Sequence, residues 1–450
     1  MNKISYLITI LLYFSSVAKQ LNAQTRVLSL ASALEMAEKG NKALQAQILE
    51  EIYAAELTKE TTGAMLPTIS ADLAYSRYFD RQTIFLPGSF AGTAKPVQEV
   101  AVGGKNAWNG MVALYQPVFS PALSRQRKTA AINQQLEQQK TADLKSRIAL
   151  QVSTHYLSIL MMTEQLGLLE QSLQRNIKAL DDARSLFNQG RALKSDTLRS
   201  FIEVENIRSS SSYLKNSIKV SLIELKRIIG MDDTETLELS DKLASPMGTI
   251  QNEFYSLDEA LKIAEQNRKD LLIQHIQIDL EEKRVAVKQA ALLPKLAFIG
   301  QYQVQAQADD LRIGNYAWPR TSFIGLQLSA PVFNGHRNRS QINQAKIRWR
   351  QEQIRLDDFR QEIKMKLASI ISKWKEANSQ LEIQKTTVHS ATLNYQMNED
   401  RFKNGLGSRL ELTDAELALT QARINCLRAT YNLRILYTEM QHALGLLNLQ

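Results

Sequence analysis

The sequence predicts a mainly helical chain with a small β part, built from two copies of one unit. Three observations predict it. Slid by 227 positions, the chain matches itself: Ser29 and Leu30 fall on Ser256 and Leu257, Ala33 on Ala260, Ala37 on Ala264, Leu44 on Leu271, and Leu66-Pro67 on Leu293-Pro294. Further on, Pro117-Val118-Phe119 falls on Pro331-Val332-Phe333, Phe187 and Gly190 on Phe402 and Gly405, and Gly230 on Gly445. Internal repetition of this kind implies pseudo-symmetry. Second, there are nine prolines, none between Pro121 and Pro246 and none after Pro331. Proline breaks helix interiors, so those stretches permit very long helices. Third, period-two alternation follows each Leu-Pro pair.

Each copy opens with a capped helix, from Ser29 and from the capping-box pattern Ser256-Leu-Asp-Glu259. Single helices of about 36 residues (29–64 and 256–291) are expected, ended by Leu-Pro. Strand pairs follow within 66–118 and 294–332. In the first, Ile69, Ala71, Leu73 and Tyr75 oppose Thr68, Ser70, Asp72 and Ala74. In the second, Leu296, Phe298, Tyr302 and Val304 oppose Gln301, Gln303 and Gln305. Returning strands carry Val112 and Leu114, then Ile324, Leu326 and Leu328 opposite Gln327 and Ser329. One apolar and one polar face over about ten residues suits a strand. The offset falls from 227 to 214 across this region, so the first copy has the longer connecting loop, rich in turn formers.

Long helices then run to Gly190 and Gly405, about 68 residues or roughly 100 Å each. Shorter ones return from Ser195 to Gly230 and from Ser408 to Gly445, each glycine where a C-cap is favoured. Two short helices add to about one long one, so they can stack end to end beside it. The repeats are thus 24–230 and 255–450, with 231–254 between them as a linker or small equatorial element. Residues 1–23 read as a cleaved signal peptide: Lys3, an apolar run from Ile4 to Phe14, and Leu21-Asn22-Ala23 before the cut.

Composition excludes several function classes. The net charge is +9, but basic and acidic residues are interleaved rather than striped, which with export argues against a nucleic-acid partner. The single cysteine, Cys426, cannot form an internal disulfide and is expected to be buried. The five histidines are scattered without metal-ligand spacing, and Gly103-Gly104-Lys105-Asn106 lacks the residues of a phosphate loop. No catalytic constellation, cofactor site or metal site is visible, so an enzyme is not expected.

Four strands cannot close a membrane barrel, which needs about eight. Open edges are not tolerated in lipid. Two chains would supply eight strands and three would supply twelve. A long helical section favours the wider assembly. The other reading is a periplasmic coiled-coil scaffold without a pore, which leaves the strands idle.

On the duplicated Leu-Pro, the Pro-Val-Phe before each long helix, and the Phe-x-x-Gly stretch running from Phe402 to Gly445, the chain resembles the TolC family of outer-membrane efflux channels. The resemblance covers 28–446. It implies a homotrimer with a twelve-stranded barrel in outer-membrane lipid, continuing into a periplasmic α-helical barrel. It implies a passive exit duct for efflux or type I secretion, in a Gram-negative outer membrane, docked on a periplasmic adaptor (membrane fusion) protein and served by an inner-membrane pump of RND, ABC or MFS type. It implies that Asp196, Glu411 and Asp414 ring the periplasmic gate. Glu411 and Asp414 share a helix face by spacing, and Glu411 also fits a capping box with Ser408. The tips Gln189-Gly190-Arg191 and Asn404-Gly405-Leu406 would meet the adaptor. The chain departs from the family pattern at Phe402, where a tyrosine is usual, and at Gly407, where an arginine helps latch the entrance. Arg409 is the nearby candidate replacement.

Overall fold

A computed structural model of the chain describes residues 26–92, 94, 96–232, 235–243 and 255–449. The signal segment 1–23 and much of the linker 231–254 lie outside the described residues. The element order repeats. β1 (Arg26–Leu28) precedes α1 (Leu30–Gly40) and α2 (Lys42–Gly63). Strands β2 (Thr68–Arg77), β3 (Gln82–Pro87), β4 (Val97–Val102) and β5 (Asn106–Phe119) lead to α3 (Pro121–Asn188) and α4 (Lys194–Ile229). After β6 (Leu237–Leu239) come α5 (Leu257–Asn267), α6 (Lys269–Ala290), β7 (Lys295–Ala308), β8 (Arg320–Ser329), α7 (Arg337–Lys403) and α8 (Arg409–Ala443). The long helices have 68 and 67 residues and the returning ones 36 and 35. Each proline-free stretch thus holds one very long helix and, after a glycine turn, a shorter returning one.

The expected 36-residue helices are broken into segments of 11 and 22 residues, at Asn41 and Arg268. These positions match through the 227 offset. Both leave the helix for extended backbone, with ψ 121°. Each is held by the returning helix of its own copy. Asn41 Nδ2 donates to the Ile228 carbonyl at 2.8 Å, while its Oδ1 accepts from the Leu44 amide at 3.0 Å. Arg268 donates to the Ala443 carbonyl at 2.9 Å and pairs with Asp270 at 2.6 Å. The backbones touch there: a Cβ on Gly230 would lie 2.2 Å from the Gly40 carbonyl oxygen. The break is a tertiary joint, and only glycine fits at its closest point.

Four glycines, Gly190, Gly230, Gly405 and Gly445, end helices with positive φ. Each is followed by a residue whose amide reaches back five positions, as Arg191 does to Leu186 and Leu406 to Arg401, both at 2.8 Å. This arrangement satisfies the orphan carbonyls of a helix end.

The chain forms two compact units. One contains the described residues of Met1–Leu49, Gln138–Ile273 and Asp357–Gln450. Its core includes Leu28, Leu44, Val152, Tyr156, Ile159, Leu225 and Ile229, all nearly inaccessible. The linker contributes a small element here. β6 pairs in parallel with β1, and Tyr156, buried at their side, donates to the Leu28 carbonyl at 2.9 Å and to Asp241 at 2.8 Å. Burial pushes that phenol well above its usual range.

The second unit, Glu50–Glu137 with Gln274–Leu356, carries a four-stranded sheet in the order β2-β5-β7-β8. All pairs are antiparallel. The register places Ile69, Leu114, Gly300 and Ile324 in one row, and Ala71, Val112, Tyr302 and Ser322 in the next. The apolar residues named from the alternation in all four strands therefore share a face. Asp72, Asn109, Gln303, Gln305 and Gln327 lie on the other. The long loop of the first copy is not only loop. It contains the hairpin β3–β4. Asp309 anchors its base: it pairs with Arg81 and accepts from the Lys105 amide at 3.1 Å, while Asn106 donates to the Asp309 and Asp310 carbonyls.

Candidate functional site

Two regions carry the strand faces and the site residues expected from the sequence. In the sheet, the apolar face is open to its surroundings: Ile69 is 72% exposed, Leu73 76%, Ile324 77% and Leu326 68%. An apolar face this exposed marks a surface made for another apolar phase. The outer edges of β2 and β8 have no strand partner among the described residues. Among those residues no helix is long and apolar enough to cross a membrane.

The other region is the pair of helix turns. At the first, the Asp196 carboxylate accepts from the Leu193 amide at 3.2 Å. At the second, Ser408 Oγ accepts from the Glu411 amide at 3.2 Å and Glu411 accepts from the Ser408 amide at 3.3 Å. Both acids cap helix starts, where the helix dipole favours negative charge. Glu411 and Asp414 are exposed. Among the described residues no hydrogen bond or ion pair joins Asp196 to Glu411 or Asp414. The tip residues Gln189, Gly190, Arg191, Asn404, Gly405 and Leu406 are all exposed.

Glu411 has a cationic neighbour that the sequence does not announce. Arg401 lies 3.6 Å away, brought back by the turn at Gly405. A Cβ on Gly407 would sit 3.2 Å from the Arg401 Cβ, tighter than ordinary contact, so the small residue lets Arg401 approach. Arg409 goes elsewhere. Its guanidinium stacks over the Phe402 ring, 5.2 Å from the centroid. Burial holds its pKa below the usual value, and its Nε is buried without a partner among the described residues.

Two turns further along α8, Glu416 is a buried carboxylate. It accepts from Arg175 Nε at 2.9 Å and Asn176 Nδ2 at 3.0 Å, both on α3. Asn176 also donates to the Ser172 carbonyl at 2.9 Å. Burial pushes the Glu416 carboxyl upward, against the opposing pull of Arg175. Sequence inspection missed this cluster. The available signal was a lone acid, Glu416, beside apolar Leu412, Ala415 and Leu419 on one helical face. Through the Gly190/Gly405 register the matched positions are Phe201, Ser390 and Ala391, so the cluster has no counterpart there. Cys426 is half-buried rather than buried, with burial raising its pKa. Among the described residues no group of three or more His, Cys, Asp or Glu could hold a metal ion.

The family model described as outer membrane efflux protein matches residues 260–446. The alkaline protease secretion protein AprF of Pseudomonas aeruginosa is 23% identical over 345 residues, covering 75% of this chain and 69% of that protein. The outer membrane protein TolC of Escherichia coli is 22% identical over 449 residues, covering 94% of this chain and 83% of TolC. Among solved structures, the Campylobacter jejuni CmeC outer membrane channel superposes with a TM-score of 0.74 at 14% identity, over 94% of this chain and 86% of that one, which shows the shared fold. Residues 260–446 of this chain thus match the outer membrane efflux protein family, and the chain is similar to TolC over nearly its whole length.

Proposed function

We propose that three copies of this chain form a passive exit duct of a tripartite efflux or type I secretion system. The match to the outer membrane efflux family and the similarity to TolC and AprF support an outer-membrane efflux or secretion channel of a Gram-negative bacterium with a periplasmic extension. The observation that carries the finer reading is the open sheet with one exposed apolar face, one polar face and two free edges. Lipid does not tolerate free edges. Joining β8 of one copy to β2 of the next would satisfy them. Three copies would give a twelve-stranded barrel with the apolar face toward lipid and the glutamine-rich face toward the lumen. The two repeats per chain, taken as a duplication, would place six similar units around one axis. The partners in this reading are a periplasmic adaptor at the tips Gln189–Arg191 and Asn404–Leu406, and an inner-membrane pump of RND, ABC or MFS type.

The test is conductance of the purified protein in planar bilayers, with outer-membrane fractionation and heat-modifiable gel mobility. A soluble periplasmic species without pores would instead leave the coiled-coil scaffold as the reading.

The acids at the turns supply the gate in this proposal. A ring of carboxylates repeated around an axis favours cations electrostatically. The double variant Glu411→Gln with Asp414→Asn keeps hydrogen-bonding groups at the helix start while removing charge. It is expected to weaken block by multivalent cations about tenfold, since two carboxylates per chain are lost. Unchanged block in bilayers would assign these residues to helix capping alone.

A further inference from the structure

A cleft of about 810 Å³ lies within the sheet-bearing unit, lined by α2, α3, α6 and α7. Both repeats contribute the same positions to it. Through the Gly190/Gly405 register, Gln126 matches Gln341 and Ala130 matches Ala345. The repeats differ at four matched positions, and at one of them, Thr129 and Gln344, both residues are neutral. Leu57 faces Arg284 as its counterpart, Thr61 faces Lys288, and Asn133 faces Arg348. Each of these three differences puts a cation on the second repeat and a neutral residue on the first. The second repeat's side of the cleft therefore carries three cations with Leu280, Glu281 and Val287 among them, and the first repeat's side is neutral.

The charges are not used up within the chain. Arg284 pairs with Glu281, which is itself mostly buried. Lys288 and Arg348 are exposed and have no hydrogen-bond or ion-pair partner among the described residues. With one carboxylate against three cations, the wall keeps a positive excess. Like charges held near one another repel, and an anion in the cleft relieves that repulsion. A guanidinium and an ammonium each match a sulfonate, phosphate or carboxylate.

The geometry points to this cleft as a binding site for an anionic amphiphile, one acidic group on an apolar body. The acidic group meets Lys288 and Arg348, and the apolar body lies along Leu57, Leu280 and Val287. Binding itself is independent of whether the protein conducts. Its use for passing cargo rests on the exit-duct reading above.

The test is equilibrium dialysis of the purified full chain in nanodiscs of zwitterionic lipid, with empty nanodiscs as blank. Three probes share one ring system: naphthalene-2-sulfonate, neutral 2-naphthalenemethanol and cationic 2-naphthylmethylammonium. The sulfonate is expected to bind at least about tenfold more tightly than the ammonium, and to weaken with added salt. The variant Lys288→Thr with Arg348→Asn installs the first repeat's residues. It is expected to lower sulfonate affinity about tenfold and leave the neutral probe unchanged. If it fails to fold, Lys288→Gln with Arg348→Gln keeps the side-chain stems and reads the same contrast. Equal binding of all three probes, or unchanged sulfonate binding in a folded variant, overturns the site. Conductance in planar bilayers separates the two failures: a conducting protein without sulfonate binding loses the cleft, and a binding protein without conductance loses the duct.

Discussion

Leu326→Arg is expected to abolish assembly in the outer membrane, while Gln327→Arg, one residue away on the same strand, leaves it intact. Both side chains are exposed in the single chain. They differ in face alone: Leu326 pairs across from Phe298 on the apolar side, and Gln327 from Ala297 on the other. Arginine on the lipid face near the bilayer midplane costs about 2–4 kcal/mol, and less near its boundaries. A trimer would incur that cost three times. In a protein surrounded by water, an exposed Leu→Arg change is within about 0.5 kcal/mol of neutral. Heat-modifiable gel mobility and fractionation read the difference directly. Equal tolerance of both substitutions would remove the sheet from the membrane.

Arg175→Ala is expected to destabilise the helical unit by about 3 kcal/mol at pH 8, because it leaves the Glu416 carboxylate buried with Asn176 as its remaining donor. The value is at the low end of the range for broken buried pairs, since the Arg175 side chain is 31% exposed. The deficit depends on pH with a definite sign. Glu416 is raised by desolvation first, then by Glu203, with Arg175 and Arg409 opposing. Where a folded carboxyl titrates above its unfolded value, the folded state holds more protons, so stability falls as pH rises between the two values. Removing Arg175 widens that window. Thermal unfolding should therefore show the gap between wild type and Arg175→Ala closing as pH falls from about 8 to about 5. Glu416→Gln, which carries no charge, should show no such closing. A deficit in Arg175→Ala that is constant with pH would mean that lost packing, not charge, was responsible.

Much of this architecture is legible in the residue order because its causes are local. Helix continuity follows from the absence of proline, and the four turn glycines sit where a left-handed residue is required. Strand faces follow from alternation, since a one-residue slip would exchange every side chain between faces. The joint at Asn41 and Arg268 was not legible. Gly40 hints at the first break, but nothing local marks Asn267-Arg268, where the Arg268 guanidinium donates to a carbonyl 175 residues away. The hairpin β3–β4 was hidden for a different reason. Its short strands lie among Pro87, Gly88 and Pro96, and those turn formers outweigh six-residue runs.

The candidate gate divides the same way. Capping by Asp196 and Glu411 can be read from spacing, because an N-cap and its third residue are neighbours in sequence. The nearness of Arg401 to Glu411, the stacking of Arg409 on Phe402, and the pairing of Glu416 with Arg175 cannot. By itself the sequence determined the lengths of the long and returning helices, their turns and the two faces of the strands. These rest on backbone and solvent preferences that act within a few residues. Only the tertiary structure decided where the charges go, for a cation's partner depends on which helices are packed together. That packing buries Glu416 against Arg175 and Asn176, whereas the matched positions hold Phe201, Ser390 and Ala391 and can form no such cluster.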